Sequence, residues 1–183
     1  PPDSCHSDSV THTISSPRLD LVLLTAALID ELLGDSTRER EVGGFLVPAA
    51  WPNDHDARFL RMRREQITKS PADEPFLARA IVLPSDRRRP MIGHIGFHEP
   101  PKDGALEMGY TVFPEYRRQG IAHEAALAMM AWATAEHGVR RYILSISPDN
   151  APSLAMAANL GFTRTGEQMD DEDGLEWVFE LRL

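Results

Sequence analysis

The sequence predicts a mixed α/β domain: a central, mostly antiparallel sheet of six to seven strands, helices on both faces, and one parallel pair, 105–113 with 139–147. Three observations lead there. Short apolar or alternating runs bounded by turn residues recur from residue 18 onward, as strands do. A nearly all-apolar stretch at 120–136 is helical and joins two of these runs, and a strand–helix–strand crossover within one sheet makes its strands parallel. Amphipathic stretches on either side of this unit supply cover for both faces.

In order along the chain, the polar opening PPDSCHSDSVTHTISS reads as a flexible tail, 1–17, and 18–183 as one domain, because no repeat and no linker rich in Gly, Pro or Ser divides it. RLDLVLL at 18–24 predicts a strand. Thr25 then serves as N-cap of a helix that ends at Gly34. DSTRERE at 35–41 predicts a second helix. A third begins near Asp54 and places Phe59, Met62 and Ile67 near one face. PFLARAIVL (75–83) and MIGHIGFH (91–98) form a hairpin around the turn-rich PSDRRRP. After the turn PPKDG, ALEMGYTVF (105–113) alternates, with Leu106, Met108, Tyr110 and Val112 on one face and Glu107, Gly109 and Thr111 on the other. The helix at 120–136 stops near Gly138, and VRRYILSIS (139–147) is the parallel partner. PDNAPS is a loop, SLAMAANL a helix closed by Gly161, and TRTGEQM and LEWVFELRL are two last strands around DDEDG.

Composition narrows the function. A formal net charge of −9 argues against a nucleic-acid partner, and the RRR at 87–89 is too short to reverse that. The longest apolar run, 125–135, falls short of the roughly 20 residues that span a bilayer, so no membrane association is expected. Cys5 is the only cysteine, which excludes an intramolecular disulfide and a thiolate metal cluster and suits a reducing cytoplasm. The string at His123-Glu124 lacks a second zinc-ligating histidine, since position 127 is Leu, and no metal is expected. Neither GxxxxGK[ST], GxGxxG nor GxSxG is present.

The informative segment is VFPEYRRQGIAHEA at 112–125. A strand ends, a basic turn follows, and Gly120 opens a helix, so that consecutive N–H groups face outward at a helix N-terminus, a setting prepared for an anion such as a pyrophosphate. Gly120 permits close backbone approach, Ala122 keeps the wall low, and Arg117 and Arg118 add charge. A plain loop with a capped helix is the alternative reading of the same residues.

Arg117-Arg118-Gln119-Gly120-Ile121-Ala122 resembles the coenzyme A signature [Q/R]-x-x-G-x-[G/A] of the GNAT acetyltransferases, and Asn150 through Phe162 resembles the family's next motif. The two together look like the branch that includes ribosomal-protein N-terminal acetyltransferases. The resemblance implies a GNAT fold in which the 105–113 and 139–147 strands splay apart and acetyl-coenzyme A is the cosubstrate. It also implies a pantetheine arm lying along Val112 and Phe113, pyrophosphate on the amides of Arg118 to Ala122, and Asn150 and Ser153 on the coenzyme's far side.

Acetyl transfer to an amine needs a neutral nucleophile, a polarised carbonyl and a proton for the departing thiolate. Glu107 is the expected base, with a solvated strand carboxylate as its alternative. His94 and His98, at i and i+4 on the neighbouring strand, are candidates for the base or for the amine pocket, together with Tyr110. For the acid, the tyrosine that many members carry seven residues after the motif Asn is Ala157 here, which leaves Ser153, water, or no dedicated acid. The expected partners are a coenzyme A thioester and an amine acceptor, with a homodimer admitted. A non-catalytic acyl-coenzyme A binding module is the competing function.

Overall fold

A computed structural model describes residues 13–171 and 174–183. Its sheet starts one strand earlier than expected. β1 (Thr13–Ser15) pairs antiparallel with β2 (Asp20–Leu23), Thr13 opposite Val22, and Ser16 N–H donates to the Leu19 carbonyl at 2.8 Å to close the turn. Residues 13–17 therefore belong to the fold, because Ile14 packs on the core; the rest of the expected tail, 1–12, lies outside the described residues.

Thr25 caps α1 (Ala26–Leu32), its hydroxyl accepting from Leu28 N–H. The helix expected at 35–41 is absent. Asp35 accepts from Thr37 N–H in an Asx turn, and Arg40–Val42 is instead β3, paired with β4 (Phe45–Val47). Gly43 and Gly44, at φ 57° and 79°, supply the two left-handed residues that a two-residue hairpin requires. Val42, Phe45 and Val47 are buried, so packing overrides the helical propensity of the charged run.

Asn53 caps α2 (Asp54–Lys69) by accepting from Asp56 N–H. The face α2 buries is Asp56, Leu60, Arg63 and Ile67, at helical spacing; Met62 is exposed, contrary to the expected stripe. The strand expected from residue 75 begins only at Arg79. Pro71 and Pro75 favour helix starts, and a 3-10 turn (Pro71–Asp73) leads into α3 (Glu74–Leu77) before β5 (Arg79–Val82).

β6 (Met91–Phe97) and β7 (Ala105–Val112) extend the sheet antiparallel. A 3-10 turn (Pro114–Tyr116) follows, then α4 (Ile121–His137), closed by Gly138 at φ 66°. β8 (Arg141–Ile146) is parallel to β7. α5 (Ala151–Asn159) begins two residues earlier than expected, since Pro152 fits a first helical turn. β9 (Thr163–Asp170) and β10 (Gly174–Arg182) complete an eight-stranded sheet in the order β1-β2-β5-β6-β7-β8-β10-β9.

Each face has its own core. On one, Leu106, Met108 and Val112 of β7 pack with Ala125, Ala126, Met129 and Ala133 of α4 and with Ala157 of α5. On the other, α1, α2 and the β3–β4 hairpin bury Ile29, Leu60, Ile67 and Phe45 against Ala80 and Val82 of β5. Burying each large aliphatic side chain stabilises the fold by about 1.5–3 kcal/mol. The two-sided cover explains why β6 is buried along its whole length.

Candidate active site

β7 and β8 pair at only three positions, Ala105 with Arg141, Leu106 with Tyr142 and Glu107 with Ile143. Both strands continue past that point, β7 to Val112 and β8 to Ile146, without pairing. On the other edge of β7, His98 N–H donates to the Glu107 carbonyl and Phe113 N–H to the Ile92 carbonyl, each at 2.9 Å. The odd-numbered residues thus bond to β6, and alternation turns the backbone groups of Met108, Tyr110 and Val112 toward the gap.

A cavity of about 860 Å³ fills this gap on the α4 and α5 side. Tyr110, Val112, Arg117, Arg118, Gly120, Ile121, Ala122, Asn150 and Ser153 all line it, which unites nine of the residues singled out in the sequence. Arg118 and Gly120 have φ of 58° and 75°, a left-handed backbone that costs a non-glycine residue about 1–2 kcal/mol. This twisted turn brings Gly120 to the start of α4, where no side chain caps the helix and the first helical bond is Glu124 N–H to the Gly120 carbonyl at 3.0 Å. The first-turn amides and the helix dipole remain directed at the cavity. Arg117 Nε donates to the Val112 carbonyl at 2.9 Å and holds the turn against the strand end.

Asn150 acts as the N-cap of α5, its side-chain oxygen accepting from Ser153 N–H at 3.2 Å. Tyr110 Oη donates to Ser153 Oγ at 2.9 Å. Withdrawal from water raises the Tyr110 pKa above its usual value, with the Ser153 hydrogen bond acting in the opposite sense, so the phenol stays protonated near neutral pH. Tyr110, grouped with the acceptor residues in the sequence, lines this cavity, because the alternation of β7 turns it toward α5.

Glu107 lies on the opposite face of the sheet and does not line the cavity. Its Oε1 accepts from Ser145 Oγ at 2.6 Å and stands 3.7 Å from His98 Nδ1. Gln168 Nε2 donates both to Ser145 Oγ and to Glu176 Oε2, each at 3.1 Å, which ties β7, β8, β9 and β10 into one polar network. His98 is half-exposed. Partial loss of hydration holds its pKa below the usual 6.5, and the nearby Arg63 charge adds to this while Glu107 pulls it up. The imidazole is therefore neutral at pH 7. Arg63, whose own pKa burial lowers to about 10, donates to the His98 carbonyl at 2.7 Å.

The remaining candidates are placed elsewhere. His94 is only 7% exposed, stacked on Phe59 at 4.7 Å between ring centroids and 3.3 Å from Asp56 Oδ1, so it is a packed core histidine rather than an open pocket wall. Phe113 packs on Trp51 at 5.9 Å and lines a second cavity of about 480 Å³ on the α2 side. Gln119 is exposed and turned away, its side chain donating to the Glu115 carbonyl. Among the described residues, no group of three or more His, Cys, Asp or Glu side chains could hold a metal ion, and no helix is long and apolar enough to cross a membrane.

Sequence reasoning missed Ser145, Gln168 and the Tyr110–Ser153 contact. The last had a readable signal, since alternation already put Tyr110 on the helix-facing side of its strand. Ser145 and Gln168 had none, because their meaning depends on strand register across a 23-residue separation.

Residues 18–163 match the family model described as Acetyltransferase (GNAT) domain. Two Bacillus subtilis proteins, both named as uncharacterized N-acetyltransferases, are similar in sequence. YjdG is 25% identical over 150 residues, 81% of this chain and 88% of that protein. YnaD is 33% identical over 76 residues, 42% of this chain but only 45% of that protein, so the match spans less than half of its length. Among solved structures, RimL, a ribosomal L7/L12 alpha-N-protein acetyltransferase in complex with coenzyme A, superposes with a TM-score of 0.63 over 93% of this chain and 98% of that one, at 16% identity.

Proposed function

The chain belongs to the GNAT acetyltransferase family, and from that premise we propose that it is an N-acetyltransferase that transfers the acetyl group of acetyl-coenzyme A directly to a primary amine, either a peptide N-terminus or a small-molecule amine. The cavity at the β7–β8 gap carries this reading. It offers an unpaired strand edge, an uncapped helix N-terminus and two guanidinium groups in sequence, which suits a ligand with an amide-bearing arm and a pyrophosphate. The RimL complex, similar in fold, holds coenzyme A.

When bound, the coenzyme supplies an acetyl group activated as a thioester. The amides of Gly120, Ile121 and Ala122, with Arg118, would hold its phosphates, and the backbone of Tyr110 and Val112 would orient its arm. Tyr110 and Ser153 would form the proton-donating pair on this side: Ser153 Oγ would give its proton to the departing thiolate and take one from Tyr110 Oη, and the phenolate would regain its proton from solvent. Glu107 Oε1 or neutral His98 accepts the ammonium proton on the other face, directly or through water. Ser145 and Arg63 keep those two groups in place. A non-catalytic binding module would need neither pair.

We assign the work to the cytoplasm, with no metal and no nucleic-acid partner. Isothermal titration with acetyl-coenzyme A tests the site: micromolar binding is expected, lost in Gly120→Trp, which would fill the turn. A folded wild-type protein that binds no coenzyme would overturn the reading.

A further inference from the structure

The carboxylate of Glu124 sits in the first turn of α4, beside the place where the proposed site needs to receive an anion. Left to itself it would repel phosphate. Instead it is fully engaged: Oε1 accepts from Ser16 Oγ at 2.7 Å and from Arg18 N–H at 2.8 Å, and Oε2 accepts from Arg18 Nε at 2.6 Å. The same guanidinium reaches onward, its NH1 donating to the Gln119 carbonyl at 3.1 Å. Its NH2 lies 3.5 Å from the position a β-carbon on Gly120 would take.

The Gln119 contact sets a direction. A trans peptide unit is planar, with its C=O and N–H pointing opposite ways. Fixing the Gln119 oxygen toward Arg18 therefore fixes the Gly120 N–H away from it, and Gly120 lines the 860 Å³ cavity. The Gly120 φ of 75° is one of the two torsions about this peptide, and glycine accepts φ of either sign, so the chain alone does not fix which way the peptide faces. Nothing else among the described residues is bonded to the Gln119 carbonyl.

We propose that Arg18 is a positioning residue for coenzyme binding: anchored by Glu124, it holds the Gln119–Gly120 peptide with its N–H turned into the pyrophosphate subsite while neutralising the carboxylate at the helix start. Arg18 lies in the segment between β1 and β2, 101 residues upstream of the turn it orients. The inference rests on the coenzyme reading given above. It adds that the edge of the sheet, and not only the signature turn, determines phosphate affinity.

Titrating coenzyme A and pantetheine separately into wild type, Arg18→Ala and Arg18→Lys, followed by backbone-amide NMR, tests this. Pantetheine shares the arm and lacks the pyrophosphate. Arg18→Ala is expected to lose about tenfold or more in affinity for coenzyme A, the effect of removing one charge-assisted contact, with pantetheine binding unchanged. The Gly120 amide resonance should also cease to respond to coenzyme A. Equal affinity for coenzyme A in wild type and variant overturns the inference, as does a parallel loss for both ligands, which would mark a merely structural role. If Arg18→Ala does not fold, Arg18→Lys decides by the same comparison, since its ammonium still offsets the Glu124 carboxylate but cannot bridge that carboxylate and the Gln119 carbonyl as the guanidinium fork does. Absence of coenzyme binding in the wild type would instead defeat the coenzyme reading itself.

Discussion

Tyr110 Oη and Ser153 Oγ, 43 residues apart, are joined by a 2.9 Å hydrogen bond that links the middle of β7 to the first turn of α5. The position seven residues after Asn150 holds Ala157, fully buried, so no phenol can come from α5. β7 supplies one from across the cavity.

That pair leads to the first prediction. Tyr110→Phe and Ser153→Ala should each lower kcat by about 10²-fold, the low end for general acid catalysis, with acetyl-coenzyme A affinity nearly unchanged. If the two hydroxyls act in series, the double variant is no slower than the worse single one. Additive losses in steady-state kinetics would separate their roles.

Glu107 makes the second. Glu107→Gln keeps the shape and the Ser145 contact but cannot accept a proton, so kcat should fall about 10²-fold while titration still detects the coenzyme. A normal rate in this variant transfers the base role to His98 or to water.

The His98 environment predicts a pH dependence. Its folded pKa lies below 6.5, so at pH values beneath 6.5 the unfolded chain binds the proton more readily. Its contribution to stability is complete above about pH 6.5 and is lost as pH falls through the lower folded value. Urea midpoints measured from pH 8 to 5 should therefore decline more steeply in the wild type than in His98→Asn. Parallel curves would contradict the assignment.

Gly96 supplies a stability test. A β-carbon there would meet the Leu77 carbonyl oxygen at 2.0 Å, backbone against backbone. Gly96→Ala should destabilise the protein by about 1–3 kcal/mol, as overpacking does, readable as a shifted denaturation midpoint with an unchanged slope.

The central unit was legible because its signals are local. The alternation of β7, the apolar length of α4 and its glycine at each end fall within one stretch of chain, and so does the turn at Arg117 to Ala122. The hairpin at Arg40 to Val47 was not, because REREV has helical composition and only the following Gly43-Gly44, together with a core waiting for Phe45, makes it extended. Arg79 and the short α3 misled for a related reason, since PFLARAIV is apolar throughout and periodicity does not separate a helical turn from a strand over so few residues. His94 and His98 shared a pattern but not a fate: the first, inside β6, is sealed beneath Phe59, while the second, one residue past the strand's end, stands in the open beside Glu107.

Among the described residues, the three residue pairs that join β7 to β8 are also the one strand-to-strand seam between a five-stranded panel, β1-β2-β5-β6-β7, and a three-stranded one, β8-β10-β9. Such a molecule resembles two boards with a short hinge, braced chiefly by α4 and its neighbours. A ligand lodged along the rest of that seam would act as mortar, and the protein's resistance to unfolding would then track how much of that ligand surrounds it.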